Sequence, residues 1–421
     1  MSYKSLKDLY TENCQGIELP PIPRQAINCF LTEGGAAGHM AHPFDLPQVK
    51  TGRDLIKVFE KAAISVAEQP PAVKIDGVNA SIKIVTDESD GSIEFGLDRG
   101  SNKPLDIKGV TISDLNRRFE EGHGMINVGQ EVLTIFNKAL PVIKEDLAKL
   151  GFFKRNLLLN MEYVKGSTNV IGYANNFLAI HGINEIYEVK SPIRGSISRA
   201  SKEISYNSQA LSNLIEKVNK IAKNYGFQIY GTVPATVKDQ INFDPELNTE
   251  FAVKYTSTEV ETKTLGTWLQ NCKNPRGVKV TLFDGKKVDA LSKFTYQQIL
   301  EGTSLSELIK NGDKQMINSC VCGAVFYHAT RVLGQKVLNS MTSPIGDISE
   351  QEGVVIRDKK ISNIPFKITG NFIVRGLESK FASEGEEGKI PNSYLSNPNY
   401  MLMPDFAKQG GKLRVGAEEG Y

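Results

Sequence analysis

The hydrophobic residues between positions 52 and 68 follow the period of an α-helix. They recur at intervals of three and four and would share one face: Leu55, Val58, Phe59, Ala62, Ala63 and Val66. Thr51 is suited to cap the first turn, and Pro70 prevents the helix from continuing. The pattern therefore predicts an amphipathic helix over 52–68.

A strand-like run follows, in which apolar residues bracket Lys74 and the pair Asp76-Gly77 interrupts the pattern. Asp-Gly between short apolar runs is typical of a tight turn, so we expect two short strands joined there as in a hairpin. Lys74 would end a strand among apolar neighbours, where desolvation lowers the pKa of an amine and leaves more of its nucleophilic form. The alternative is a strand lysine that simply faces solvent.

Further apolar runs predict strands over 92–99, 157–164, 352–358 and 365–376, and a strand pair over 177–189. Helical periodicity predicts helices over 112–121, 126–150 and 208–225. Between 240 and 340 the chain becomes more polar and helical and holds the only tryptophan, Trp268. We interpret this region as a mostly helical insertion.

These elements divide the chain into five predicted parts. They are an N-terminal extension (1–50), the first part of a core (51–239), the insertion (240–340), the second part of the core (341–380) and a C-terminal tail (381–421). The tail is rich in Gly, Glu, Asn and Pro, a composition that is poor in core-forming residues.

Composition excludes several classes of protein. The net charge of +2 is too small to indicate nucleic-acid binding by itself, although a local basic channel is compatible with it. No apolar run reaches the length that spans a membrane, and the first residues lack the apolar core of a signal peptide. Five scattered cysteines do not suggest a disulfide framework. We therefore expect a cytoplasmic protein with no membrane partner.

A glycine-rich stretch leads into the segment His39–Asp45, which contains two histidines and an aspartate. These side chains could ligate a metal, or they could line a loop that grips phosphate. They could also belong to a packed connector in which the histidines only form hydrogen bonds. The spacing alone does not separate these alternatives.

Isolated charged residues mark the edges of several predicted strands: Lys74, Arg99, Glu162, Glu352 and Lys367. One amine, two carboxylates and two further cations suit attack on the α-phosphate of a nucleotide. The amine is the nucleophile, and the cations neutralise charge that develops on the phosphate. One carboxylate can bind a divalent metal, Mg²⁺ or Mn²⁺, and the other can hold the ribose hydroxyls.

The sequence Lys74-Ile-Asp76-Gly77-Val-Asn79 resembles the first motif of the covalent nucleotidyltransferase superfamily. This superfamily contains ATP-dependent DNA ligases, RNA ligases and messenger-RNA capping enzymes, and the likeness is closest to RNA ligase 2-like ligases. The resemblance implies an α+β, ATP-grasp-like core of two antiparallel sheets with flanking helices. It also implies that Lys74 becomes a nucleotidyl-lysine, with Val73, Asp76, Gly77 and Asn79 near the bound nucleotide.

Other segments are similar to the later motifs of the same family. Arg99-Gly100 is similar to the next conserved arginine, and Glu162 to the glutamate that contacts the ribose. Glu352-Gly353 matches the fourth motif, whose glutamate supports the metal, and Lys367 stands for the fifth, in which only one of two usual lysines is present. The ring that stacks on the base could be His181 or Phe177.

The resemblance predicts an ATP-dependent polynucleotide ligase that joins a 5′-phosphate to a 3′-hydroxyl through lysyl-AMP. Asn79 favours RNA, and so do the about 54 residues after Lys367, which are fewer than an OB barrel needs. The alternatives are a DNA ligase, a capping-type guanylyltransferase, a transferase acting on protein or a small molecule, and a non-catalytic nucleic-acid-binding relative.

Overall fold

The protein folds around β-sheets whose strands are far apart in the sequence. The computed structural model describes residues 40–87, 89–165, 173, 175–190, 197–254, 260–300, 303–348 and 351–370. The predicted tail over 381–421, and the predicted extension up to residue 39, lie outside this range. The described part of the chain is mixed α+β with antiparallel sheets and flanking helices, which confirms the predicted class at this level.

The strands, in chain order, are β1 (Ala72–Lys74), β2 (Val78–Asn79), β3 (Ile82–Thr86), β4 (Ile93–Leu97), β5 (Leu157–Val164), β6 (Phe177–Lys190), β7 (Ile197–Glu203), β8 (Gln228–Tyr230), β9 (Thr236–Val237), β10 (Glu250–Lys254), β11 (Val260–Thr264), β12 (Lys279–Thr281), β13 (Lys287–Asp289), β14 (Met341–Ser343), β15 (Gly346–Asp347), β16 (Gly353–Ile356) and β17 (Phe366–Thr369).

The helices are α1 (Gly52–Glu68), α2 (Pro104–Lys108), α3 (Leu115–Arg118), α4 (Gly124–Leu150), α5 (Ser208–Ala222), α6 (Asp244–Leu247), α7 (Leu265–Asn271), α8 (Lys293–Leu300), α9 (Leu305–Leu308) and α10 (Lys314–Asn339). Short 3₁₀ helices cover Pro43–Asp45, Ile112–Asp114 and Lys223–Tyr225. Within the described residues, no helix combines the length and the apolar character that crossing a membrane requires.

The larger sheet has seven strands. Five lie in the order β4-β3-β5-β6-β7, while β2 pairs with β5 and β8 pairs in parallel with β6. Apolar residues on one face of this sheet form a core with α4 and α5. The other face of β5 and β6 contributes Val164, Phe177 and Ala179 to a second core.

A smaller sheet contains β1, β16 and β17 in the order β1-β16-β17. Its apolar residues belong to the second core, together with those of α1, α7 and α10. Helix α10 approaches β17 so closely that a Cβ atom at Gly334 would lie 2.5 Å from the carbonyl oxygen of Thr369. The region 240–340 therefore packs directly against this sheet, and it contributes the hairpins β10-β11 and β12-β13 as well as helices.

Helix α1 has the predicted bounds. The Thr51 hydroxyl accepts a hydrogen bond from the backbone N–H of Asp54, and the Asp54 carboxylate accepts one from the backbone N–H of Thr51 at 3.0 Å. This reciprocal capping satisfies two backbone donors at the helix start. The predicted apolar face is buried, apart from the partly buried Ala63.

The Asp76-Gly77 turn does not close a hairpin, so this part of the prediction is wrong. Strand β1 pairs with β16, with Lys74 opposite Gly353, whereas β2 pairs with β5, with Asn79 opposite Glu162. The chain therefore passes from the smaller sheet to the larger one between Lys74 and Val78. Long-range pairing decided the partners of these short strands, as local turn chemistry sets only a preference.

Two other predicted elements differ in form. The predicted strand pair over 177–189 is one strand of fourteen residues, Phe177–Lys190, because β5 and β7 pair along successive parts of it. The predicted helix over 112–121 is a 3₁₀ turn followed by α3, which ends at Arg118. The predicted helices over 126–150 and 208–225 correspond to α4 and to α5 with its following 3₁₀ turn.

Gly353 provides a test of the smaller sheet. Its φ of 155° is unfavourable for other residues, and a Cβ atom there would lie 2.0 Å from the carbonyl oxygen of Ile368 on β17. We expect Gly353→Ala to lower the free energy of unfolding by about 3 kcal/mol or more, measured by urea denaturation. The control is Gly285→Ala, where φ is 83° but no atom lies within 4 Å of the added Cβ. It should cost only about 1 kcal/mol, and equal effects would contradict the close contact at Gly353.

Candidate functional site

The carboxylate of Glu352 lies between two lysines of the smaller sheet. Its Oε2 atom is 2.9 Å from the Lys74 Nζ atom, and its Oε1 atom is 3.7 Å from the Lys367 Nζ atom. Lys74 pairs across from Gly353 and Lys367 across from Val355, so both lysines project from the same face of the sheet. The side chains of Lys74, Glu352 and Lys367 are 24%, 11% and 17% exposed, so this cluster is largely withdrawn from water.

The electrostatics of Lys74 differ from the expectation. Burial alone would lower the pKa of Lys74, but Glu352, Glu162 and Asp76 together raise it above the ordinary lysine value. The prediction of a lowered pKa is therefore wrong, because it did not include the neighbouring carboxylates. Burial would likewise raise the pKa of Glu352, but Lys74 and Lys367 hold it below its usual range. The two groups form a buried ion pair, with Lys74 protonated.

Glu162 faces this cluster from the larger sheet. It pairs with Asn79 across β2 and β5, and a Cβ atom at Gly77 would come within 3.0 Å of its Oε2 atom. That Oε2 atom is buried and has no hydrogen-bond partner among the described residues. Burial raises the pKa of Glu162 to about 8, with Lys74 opposing the shift and Glu352 adding to it. An unsatisfied buried carboxyl group is costly, so its position suggests a role in binding.

His181 lies at an irregularity in β6. Asn160 pairs with Gly182 and Met161 with Ile180, which leaves His181 as the extra residue of a bulge, next to Gly182 with φ of 153°. Bulges re-aim side chains and are common beside functional sites. Burial lowers the pKa of His181 to about 4, and the charges of Lys74 and Arg357 add to this shift. His181 is therefore a neutral ring beside the charged cluster.

Phe177 occupies a different environment. Its side chain is buried, with the rings of Tyr173 and Tyr230 packed edge-on against it at centroid distances of 5.1 and 5.3 Å. Tyr173 in turn accepts a hydrogen bond of 3.0 Å from the backbone N–H of Asp76. Of the two predicted stacking candidates, the structure places His181 beside the charged cluster and Phe177 in the supporting core.

Arg99 follows β4, and its neighbour Asp98 holds the chain there. The fully buried Asp98 carboxylate forms ion pairs with Arg199 and, at 3.6 Å, with Lys83. It also accepts a hydrogen bond of 2.9 Å from the backbone N–H of Gly100. The charge of Arg99 lowers the pKa of Glu162, which places its guanidinium near that carboxyl group.

Val73 has an indirect role. Its side chain is 1% exposed and belongs to the second core, on the opposite face of β1 from Lys74. Its backbone N–H donates a hydrogen bond of 2.8 Å to Val233. Val73 therefore fixes the strand that carries Lys74, and its side chain does not point to the charged cluster.

Tyr173 and Arg357 lie close to this site and were not predicted to belong to it, whereas His42 was predicted only through the alternatives for its segment. Tyr173 supports Asp76, as described above. Arg357, which follows β16, forms an ion pair of 3.2 Å with Glu203 at the end of β7 and so connects the two sheets. His42 interacts electrostatically with Glu352. Only His42 had a signal in the sequence, because it belongs to the segment His39–Asp45; His39 itself lies outside the described residues.

The donor set limits how a divalent metal could be held. Within the described residues, no three or more His, Cys, Asp or Glu side chains form a cluster suited to a metal ion. Mg²⁺ is commonly held by one or two carboxylates together with substrate phosphates and water. Glu352, which already binds two cations, fits the role of a single protein ligand in such a site.

The comparisons identify no relative: no protein-family model matches the chain, and neither the curated proteins nor the solved structures contain a significant match.

Glu162 gives a pH-dependent test of the site. Its folded-state pKa of about 8 lies above the ordinary value of 4.5, so its contribution to stability is complete below pH 4.5 and is lost as pH rises through 8. We expect wild-type protein to lose stability relative to Glu162→Gln over this window, by roughly a few kcal/mol at most. Urea denaturation between pH 5 and pH 9 measures the difference.

The control for this experiment is Glu120→Gln at an exposed position. The stability difference between Glu120→Gln and wild type should stay nearly constant over the same pH range. A Glu162→Gln difference that is equally constant would show that Glu162 titrates normally, contrary to its position in the structure.

Proposed function

We propose that this protein is an ATP-dependent polynucleotide ligase of the cytoplasm that acts on RNA through a covalent lysyl-AMP intermediate. One observation carries the proposal. Lys74, Glu352 and Lys367 on one sheet face Glu162, Asn79 and His181 on the other, although these residues come from six separate strands or strand ends. This arrangement supplies a nucleophile, phosphate-binding cations and groups for a nucleoside in one place.

In the first step, the Lys74 amine attacks the α-phosphorus of ATP, a P–N bond forms, and pyrophosphate leaves. Lys74 must lose a proton before it attacks, and Glu352 and Glu162 raise its pKa despite its burial. Weakening of the Lys74–Glu352 ion pair on nucleotide binding would lower that pKa. Lys367, on the same face, would neutralise charge on the transferring phosphate.

The larger sheet would bind the nucleoside. Glu162 is placed to accept hydrogen bonds from the ribose hydroxyls, which would satisfy its buried Oε2 atom. The His181 ring is the stacking candidate for the base. Arg99, which is held in place by the Asp98 ion pairs, would contact a phosphate of the nucleotide or of the 5′ end.

Glu352 would hold Mg²⁺, or Mn²⁺ in its place, and a bound ion would supply charge screening for the phosphates. The same carboxylate pairs with both Lys74 and Lys367. AMP would then pass to the 5′-phosphate of a strand, and a 3′-hydroxyl would displace it. Asn79 in the first motif favours RNA over DNA as the substrate.

A second candidate is a non-catalytic relative that binds nucleotide or strand without turnover. The protonated state of Lys74 favours it, because an ammonium group binds phosphate but does not attack it. This candidate predicts nucleotide binding without release of pyrophosphate.

The principal test is transfer of labelled AMP. Protein stripped of bound AMP with pyrophosphate is incubated with α-labelled ATP and Mg²⁺, or with GTP in parallel, and is run on a denaturing gel. We expect label from ATP on wild-type protein, and at least about 100-fold less on Lys74→Ala, because the substitution removes the attacking amine. The control is Lys57→Ala, at an exposed position of α1, which should label normally.

The outcomes separate the candidates. Label from GTP alone would indicate a capping-type guanylyltransferase, and label that persists in Lys74→Ala would exclude Lys74 as the nucleophile. Absence of label from both nucleotides, with nucleotide binding retained, would favour the non-catalytic candidate. Circular dichroism of Lys74→Ala checks that the variant folds, because the substitution leaves Glu352 with one cation less.

The choice of substrate is tested separately. Nicked duplexes that carry RNA or DNA on the 3′-hydroxyl side are compared under the same conditions. We expect sealing of the RNA-containing nick to be faster by about tenfold or more, and equal rates would support the DNA ligase alternative.

A further inference from the structure

The segment between Ala41 and Asp45 lies against the edge of the smaller sheet. Ala41 pairs in parallel with Phe366, and its carbonyl oxygen accepts a hydrogen bond of 2.8 Å from the backbone N–H of Lys367. The Nζ atom of Lys367 lies 3.7 Å from the Glu352 carboxylate. The backbone thus brings His42 next to the charged cluster, although more than 300 residues separate it from Glu352 and Lys367 in the chain.

Local contacts hold the His42 ring in one orientation. The Asp45 carboxylate accepts a hydrogen bond of 3.0 Å from the backbone N–H of His42 and lies 3.3 Å from its ring atom Nδ1. The ring also stacks on Phe44, with centroids 5.1 Å apart and planes inclined by 10°. The His42 side chain is only 32% exposed, so its neighbours hold it and it does not extend freely into solvent.

The region 240–340 supports this segment from outside. Asn274 donates hydrogen bonds to the carbonyl oxygens of Phe44, at 2.8 Å, and of Val49, at 3.2 Å. Arg276 donates to the same Phe44 carbonyl, and its Nε atom lies 3.7 Å from the Asp45 carboxylate. Asp45 contacts His42 directly, while Asn274 and Arg276 fix the backbone and the carboxylate that surround the ring.

We propose that His42 contacts the β- or γ-phosphate of the nucleoside triphosphate, as a third basic side chain beside Lys74 and Lys367. The inference rests on the proposed function and adds a residue outside the motifs that led to it. The ligand class is a nucleoside triphosphate, because the side chains around Glu352 attract phosphate oxygens. Asp45, Phe44 and Arg276 act as positioning residues for the ring.

The test separates binding of the triphosphate from the rest of the reaction. We expect His42→Asn to bind α,β-methylene-ATP about tenfold or more weakly than wild type, and to bind AMP with unchanged affinity, both measured by calorimetry. It should form lysyl-AMP with a raised KM for ATP. It should seal a pre-adenylylated RNA strand at the wild-type rate, because that step uses no triphosphate.

His123 offers a matched control. It caps α4 by accepting a hydrogen bond of 3.1 Å from the backbone N–H of Met125, a role that asparagine can fill. His123→Asn should therefore behave as wild type in every assay. Asp45→Asn should weaken α,β-methylene-ATP binding less than His42→Asn, because the ring stays present but loses part of its restraint.

Each remaining outcome is decisive. Unchanged α,β-methylene-ATP binding by His42→Asn would overturn the inference and leave the ligase proposal intact. Equal losses for AMP, triphosphate and sealing would also overturn it, because they would indicate a structural role for His42. Wild-type protein that binds neither AMP nor the analogue would reject the proposed function and the inference together.

Discussion

The buried carboxylate of Glu352, held between Lys74 and Lys367, is the interaction on which the site depends. A buried carboxylate is tolerated only when cations compensate it, and here the two cations come from strands on either side of β16. The strand register and the ion pairs therefore support each other. The same interaction keeps Lys74 protonated, so the contact that assembles the site also restrains the amine that we propose as the nucleophile.

The short link between Lys74 and Val78 explains why two sheets can share one site. Lys74 ends a strand of the smaller sheet, and Asn79, five residues later, lies in the larger sheet opposite Glu162. Gly77 must be small, because an added Cβ would meet Glu162 at 3.0 Å. The six residues Lys74–Asn79 thus contribute to both sheets. Their spacing matches the distance between the two sheets, and they do not form a hairpin turn.

The sequence predicted those features that depend on local chemistry. Helix α1 begins and ends as expected, because its apolar period, its capping pair Thr51 and Asp54, and Pro70 all lie within one segment. Pairing partners could not be predicted in this way: β1 and β2 joined different sheets, and 177–190 became one strand with a bulge at His181. The partners of β1 and β2 lie more than eighty residues away in the chain, and the form of 177–190 depends on its register with β5 and β7.

The candidate site likewise combines features that the sequence predicted with features that depend on distant parts of the chain. Each isolated charged residue was recognisable in the sequence, because a lone charge at the edge of an apolar strand needs a partner. The electrostatic state of these residues was not recognisable in the sequence. The pKa of Lys74, for example, depends on Glu352, which lies 278 residues further along the chain. His42 was visible as a motif, but only the tertiary contact with β17 relates it to the cluster.

Charge balance explains why a site of this kind would gather residues from such distant segments. Lys74 and Lys367 already compensate Glu352, and Glu203 compensates Arg357. A triphosphate would add several negative charges to a region in which these cations are engaged. Binding the triphosphate requires Glu352 to give up part of its interaction with Lys74 and Lys367. It also requires further positive groups at the same edge of the smaller sheet. Arg99 at the end of β4 and His42 beside β17 are the candidates for this role, and they lie near Glu162 and Glu352 only because the fold brings separate parts of the chain together.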